Sequence, residues 1–221
     1  MFNEWAQSNG ITRDCDLIIY GSAESFSAPR VWWMFHAFQH AGSISILNGG
    51  LEAWKAAGGA LESGPVSSPL RTEYASPGVD PKLVVGSADV LDVMMTGKAQ
   101  LCDARSAARF SGEVDEPRPG LARGHIPGSL NVPFTTLLES GDTTKFISPH
   151  EVKAAMRKAG VVPGSKVIMT CGSGVTACTL AFGMVMAGQA PADVPVYDGS
   201  WSEWGRPDLT DLPKMVTDGS E

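Results

Sequence analysis

The stretch VIMTCGSGVTACTLAFGMVMAG, residues 167–188, carries an apolar strand pattern, a loop of small residues and an apolar helix pattern in direct succession, with Cys171 at the first junction. Open α/β sheets place their sites at the carboxyl ends of strands, and Gly172 and Gly174 let the loop backbone close around a ligand. Backbone N–H groups in such a turn, with the positive end of the next helix dipole, favour thiolate over thiol. Most free cysteines are small, buried and inert, but this position marks Cys171 as a candidate nucleophile. Single residues exclude two neighbouring chemistries. A cysteine phosphatase needs an arginine six positions past its nucleophile to fork a phosphate, and Ala177 stands there. A nucleotide-binding P-loop ends in Gly-Lys-Ser/Thr, and Gly174-Val175-Thr176 lacks the lysine.

The stretch has a relative inside the chain. LIIYGSAESFSAPRVWWMFHAFQHAGSISILNGGLEAW (17–54) and KVIMTCGSGVTACTLAFGMVMAGQAPADVPVYDGSWSEW (166–204) share a strand, a small-residue loop, a helix, a second strand, an Asn/Asp-Gly turn and a tryptophan. Tyr20 and Thr170, Asn48 and Asp198, Gly49 and Gly199, and Trp54 and Trp204 are each 150 positions apart. One offset at both ends argues for duplication. Gly21 then occupies the place of Cys171, so chemistry belongs to the second copy. Residues 61–81, rich in Ser, Pro and Gly, read as an interdomain linker between a partial domain at 1–60 and a complete one at 82–221. The second domain alternates strand and helix. LVVGSADVLDVMMTG (83–97) is a strand and a helix with Ser87 as N-cap, AQLCDAR (99–105) a strand, and GHIPGSLNVPF (124–134) a turn into a strand. SPHEVKAAMRKAG (148–160) has Ser148 as N-cap, Pro149 in the first turn, Glu151 closing a capping box and Gly160 as stop. This is the βαβ rhythm of an α/β fold with parallel sheets flanked by helices.

Composition narrows the function. A net charge of −7, with 43% hydrophobic residues, implies a well-cored globular chain and no nucleic-acid surface. No apolar run reaches the roughly 18 residues of a membrane helix, and the first residues have neither a signal-like nor a transit-like pattern, so no membrane partner is expected and a cytoplasmic location is, with a mitochondrial one as the alternative if a targeting segment precedes this sequence. Cys15, Cys102, Cys171 and Cys178 show no metal or disulfide spacing, so no metal or cofactor is expected.

With SAPRVWWMF, NGGLEAW, CDAR, GHIPGSLNVPF, CGSGVTAC and YDGSWSEW, the chain resembles the rhodanese superfamily and, within it, the two-domain 3-mercaptopyruvate sulfurtransferases. The resemblance implies tandem rhodanese-like domains, the first incomplete here. Thiosulfate-using members carry an arginine and a lysine in the active loop, whereas the mercaptopyruvate enzymes have the uncharged run that stands at Cys171 to Thr176. The implied reaction moves sulfur from 3-mercaptopyruvate to a persulfide on Cys171 and then to a thiol acceptor such as thioredoxin, giving pyruvate and, on reduction, hydrogen sulfide. Arg109 and Arg118, in SAARFSGEVDEPRPG, match the family's substrate arginines. Gly172, Gly174, Val175 and Thr176 would line the substrate loop. Ser173 is open between a proton relay to the leaving carbon and a turn former. Thiosulfate:cyanide transfer and a non-catalytic interaction module are the alternatives.

The first copy has no counterpart of the CDAR strand or the GHIPGS turn. An exposed strand edge and apolar surface are therefore expected in the first half. The family draws a histidine and an aspartate from that stretch for a proton relay, and no residue here matches them. Loss of such a relay costs about two to four orders of magnitude in rate.

Overall fold

The computed structural model describes residues 1–22, 25–65 and 67–216. The first half contains α1 (Phe2–Ser8), β1 (Leu17–Ile19), α2 (Ala28–Ala37), β2 (Ile44–Ile46) and α3 (Gly50–Ala56). The second contains β3 (Val84–Val85), α4 (Ser87–Thr96), β4 (Gln100–Asp103), α5 (Ala107–Ser111), β5 (Leu130–Asn131), α6 (Pro149–Lys158), β6 (Val167–Thr170), α7 (Ala177–Met186), β7 (Val196–Tyr197) and α8 (Ser200–Trp204), with short 3-10 turns at Phe134–Leu137 and Pro191–Asp193.

The second half builds a five-stranded parallel sheet in the order β3-β7-β6-β4-β5. As the central strand, β6 is buried at all four positions, which is why its sequence reads as an unbroken apolar run. Helix α7 has no charged residue and buries most of its surface, because it lies between the sheet, α6 and α2. Helix α6 begins as its sequence dictates: the Glu151 N–H donates to the Ser148 hydroxyl at 3.3 Å, and the Ser148 N–H donates to the Glu151 carboxylate at 2.9 Å. Helix α4 starts one residue earlier than expected. Gly86, not Ser87, is its N-cap, because Asp89 reaches back to accept the Gly86 N–H at 2.9 Å.

The first half repeats part of this plan as a two-stranded parallel sheet of β1 and β2. The correspondence reaches single pairs. Ile19 opposes Ile46 as Met169 opposes Val196. The Leu51 N–H donates to the Gly21 carbonyl at 3.1 Å as the Trp201 N–H donates to Cys171 at 3.0 Å. Gly50 and Ser200 both have positive φ, 56° and 50°. Each equivalence is an offset of 150.

The halves share one core, in which Trp32, Trp33 and Ala37 of α2 join Cys102, Val167 and Leu180. Trp32 meets Phe182 edge-on with ring centroids 5.1 Å apart. On the far side of β1, Ile18 is 70% and Tyr20 59% exposed, as expected of a sheet without further strands. The stretch read as a linker is not a free tether. Tyr74 is 1% exposed and packs with Phe2, Ala6 and Phe35, its carbonyl accepts from Gln7 at 3.1 Å, and the Thr72 N–H donates to the Gln7 carbonyl at 3.1 Å. The Ser/Pro/Gly composition of 61–81 hid one aromatic anchor that the short helix α1 needs to bury its own apolar face.

Candidate active site

Strand β6 ends at Thr170 and delivers Cys171 into the loop before α7. Helix α8 decides which way that loop faces. The Trp201 N–H donates to the Cys171 carbonyl at 3.0 Å and the Ser202 N–H to the Gly172 carbonyl at 2.8 Å, with the Ser202 hydroxyl on the same oxygen. A trans peptide points its N–H opposite to its C=O, so with these carbonyls held by α8 the following N–H groups face the other way. The Ser173 N–H accordingly lies 3.4 Å from the Cys171 sulfur. The N–H groups of Gly172, Gly174, Val175 and Thr176 meet no acceptor among the described residues. Ser200, fully buried, clamps the turn: its hydroxyl donates to the Tyr197 carbonyl at 2.8 Å and accepts the Cys171 N–H at 3.2 Å.

A cavity of about 450 Å³ opens over the cysteine. Cys171, Gly172, Ser173, Val175 and Thr176 form its floor, Arg105, Ser106 and Arg109 one wall, Pro117 and Arg118 a second, and Phe26 and Phe134 the rim. Gly174 does not line it. Its φ of +78° turns it to the back of the loop, where an added Cβ would sit 2.5 Å from Asp198 Oδ1; the expected substrate role of Gly174 is therefore corrected to one of fit. Gly172 is confined from the front, since a Cβ there would lie 2.7 Å from Arg109 Nη2.

The arginines form a ladder. Arg105, whose side chain is fully buried, pairs with Asp103 at 2.6 Å and Glu116 at 2.9 Å, donates to the Gly124 carbonyl at 2.9 Å and stacks 4.5 Å from the Trp201 ring. Burial works against its charge, and the two carboxylates more than offset that, holding its pKa above the ordinary value. Glu116, whose side chain is 2% exposed, also takes Arg109 through Nε at 3.1 Å and Nη2 at 2.6 Å. Arg118 is exposed at the cavity and pairs with no described residue. Two carboxylates thus answer two guanidinium groups, and the charge of Arg118 is left over.

Two of the other thiols, Cys102 and Cys178, are poor nucleophiles. Burial, with Asp103 beside it, pushes Cys102 up to about 12. Burial also pushes Cys178 well above the ordinary range, and its sulfur donates to the Gly174 carbonyl at 3.1 Å. His125 is a structural residue, stacked on Phe110 at 3.8 Å and bonded to the Phe110 carbonyl at 2.7 Å. Trp201 lies beneath Arg105, and Trp204 donates to the Pro213 carbonyl at 2.8 Å; neither lines the cavity. Among the described residues no group of three or more His, Cys, Asp or Glu side chains could hold a metal ion.

Sequence reading missed Glu116, Arg105, Phe26 and Phe134. Arg105 was visible as the last residue of CDAR, and Glu116 lay among three acidic residues, Glu113, Asp115 and Glu116, with no local sign of which one buries.

Comparison with known proteins identifies relatives for this arrangement. The model of the rhodanese-like domain matches residues 87–207. The 3-mercaptopyruvate sulfurtransferase of Escherichia coli K12 is 45% identical over 92% of this chain and 69% of its own length. The thiosulfate sulfurtransferase of Rattus norvegicus is 39% identical over 93% of this chain and 68% of its own. Among solved structures, SseA from Escherichia coli, described as a 3-mercaptopyruvate sulfotransferase with the rhodanese fold, superposes with a TM-score of 0.75 at 39% identity over 91% of this chain and 72% of that one.

Proposed function

The chain belongs to the rhodanese family, and on that premise we propose that it is a 3-mercaptopyruvate sulfurtransferase, carrying sulfur on Cys171. The observation that carries the choice of donor is the charge ladder. An uncharged loop leaves one unanswered guanidinium, Arg118, over the cavity, which suits a donor with one carboxylate. A doubly charged thiosulfate would need a second cation. The remaining N–H groups of Arg109 and the fork of Arg118 bind the carboxylate and keto oxygens, and the donor sulfur lies toward Cys171.

In the first half-reaction the Cys171 thiolate attacks the donor sulfur. An S–S bond forms, the C–S bond breaks, and its electron pair leaves on carbon as pyruvate enolate, which takes a proton to become pyruvate. The Ser173 hydroxyl, at the cavity and without a partner among the described residues, is placed to pass that proton on. The Ser173 N–H and the unanswered N–H groups of Gly172, Val175 and Thr176 hold the persulfide anion. In the second half-reaction an acceptor thiolate, from thioredoxin or a small thiol, attacks the outer sulfur and returns Cys171 to thiolate. A second acceptor thiol then releases hydrogen sulfide and leaves a disulfide.

The test is intact mass of the folded protein after brief exposure to 3-mercaptopyruvate, with Cys171→Ser beside it. Gain of one sulfur atom by the wild type alone, with pyruvate formed in equal amount, is the expected result. No gain by a folded wild type refutes the reading and favours an interaction module.

A further inference from the structure

Arg30 lies in the half of the chain that lacks the nucleophile, yet it ends against the back of the nucleophile's loop. It is the third residue of α2, and its Nη1 pairs with Oδ1 of Asp198 in the turn between β7 and α8. Its guanidinium also stacks 4.7 Å from the ring of Trp33, itself 5% exposed. Burial opposes the Arg30 charge, and Asp198 and Cys178 together more than compensate, so its pKa is raised. The pair leaves no slack behind the loop. A Cβ on Gly174 would stand 2.5 Å from Asp198 Oδ1, 2.9 Å from the Asp198 carbonyl oxygen and 3.0 Å from Arg30 Nη1. Cys178 closes the remaining side by donating to the Gly174 carbonyl. The first copy does not repeat the Arg30–Asp198 pair at its equivalent positions. The residue equivalent to Asp198 is Asn48, whose side chain instead accepts the Phe146 N–H at 2.8 Å, and 150 positions after Arg30 stands the apolar Leu180. Arg30 does not line the cavity.

We propose that Arg30 is a positioning residue for sulfur transfer. Through Asp198 it fixes Gly174, and with it the flanking Ser173 and Val175 N–H groups that hold the persulfide. The half without a cysteine thereby sets the turnover of the half that has one. This rests on the sulfur-transfer reading given above.

The test compares Arg30→Met, Arg30→Lys, Asp198→Asn and the Arg30→Met/Asp198→Asn double variant with the wild type. The readouts are kcat and KM for 3-mercaptopyruvate and the rate of one-sulfur mass gain per folded molecule. A loop misplaced by about 1 Å costs about a hundredfold in rate, so Arg30→Met is expected to lose about 10- to 100-fold in kcat. KM should change by less than about threefold, because Arg109 and Arg118 are untouched. Arg30→Lys should recover much of the loss, and the double variant should be no worse than the poorer single one. If Arg30→Met does not fold, Arg30→Lys and Asp198→Asn carry the test, each expected to show a smaller kcat loss at unchanged KM. Rates per folded molecule equal to the wild type would overturn the proposal, whatever the thermal midpoints do, since a merely structural brace changes only how much protein is folded. A folded wild type that takes up no sulfur would take down the sulfur-transfer reading and this inference together. An active wild type with equally active variants would remove only the inference.

Discussion

Replacing Glu116 by Gln should change which donor the enzyme prefers more than how well it is folded. The carboxylate is buried and shared by Arg105 and Arg109, so Glu116→Gln adds one net positive charge beside the cavity and keeps the volume and one acceptor oxygen. Arg105 retains Asp103 and the Gly124 carbonyl. The lost charge-assisted bonds should then cost about 1.5–3 kcal/mol, tolerable for a domain stable by about 5–15 kcal/mol. For an assumed separation of about 7 Å at partial screening, one added unit charge changes the binding of one extra donor charge by about 1–2 kcal/mol. At 1.36 kcal/mol per factor of ten, the ratio of kcat/KM for thiosulfate to that for 3-mercaptopyruvate should rise about tenfold. The assay is steady-state turnover with each donor at low ionic strength, repeated in added salt, where the gain should shrink. An unchanged ratio in a folded variant would refute the claim that charge balance around Glu116 selects the donor. A fall in both donors by the same factor would also refute it, and would mean that Glu116 only orients Arg109.

Gly174→Ala forces a side chain into left-handed backbone at φ +78° and against Asp198. It should cost about 1–2 kcal/mol from the backbone alone and lower kcat at nearly constant KM; full activity would mean that the loop tolerates displacement. In the native protein at neutral pH, iodoacetamide should label Cys171, buried but reached through the cavity, and the partly exposed Cys15, but neither Cys102 nor Cys178, which are buried away from the cavity and raised in pKa, so peptide mapping of Cys171→Ser should find label only at Cys15. Burial holds the imidazoles of His36 and His125 below their ordinary value. The unfolded chain therefore takes up protons below about pH 6.5 that the folded chain refuses. The thermal midpoint should be insensitive to these groups above about pH 7 and fall between about pH 6.5 and 5, with a shallower fall in His36→Gln; a flat profile would contradict the burial argument.

What the sequence made legible was local or periodic. The cap of α6 lies within four residues, and the apolar runs of β6 and α7 follow from burial on every side. The repeat offset reached further, because two copies that keep one fold keep their pairings: Ile19 with Ile46 gives Met169 with Val196. Cys171 and the cavity positions of Arg109 and Arg118 came with the motif, whereas Gly174 was misread as facing the substrate because sequence alone does not say which side of a loop a glycine serves. The other misses involve partners far apart in the chain. Helix α1 is short and makes sense only with Phe35 and Tyr74. Arg30 and Asp198 are separated by 168 positions, and neither position hints at the other.

That separation has a consequence in time. A ribosome adds about 5–20 residues per second, so Arg30 leaves it about ten to thirty seconds before the aspartate that anchors it. Through that interval α2 waits with Trp32 and Trp33 unsheltered, since α7, which covers Trp32, is made almost as late. A nascent chain in this state exposes the apolar surface that makes folding intermediates prone to aggregate. Its reactive sulfur site closes only when the segment that carries Asp198 has been made and meets one made 168 residues earlier.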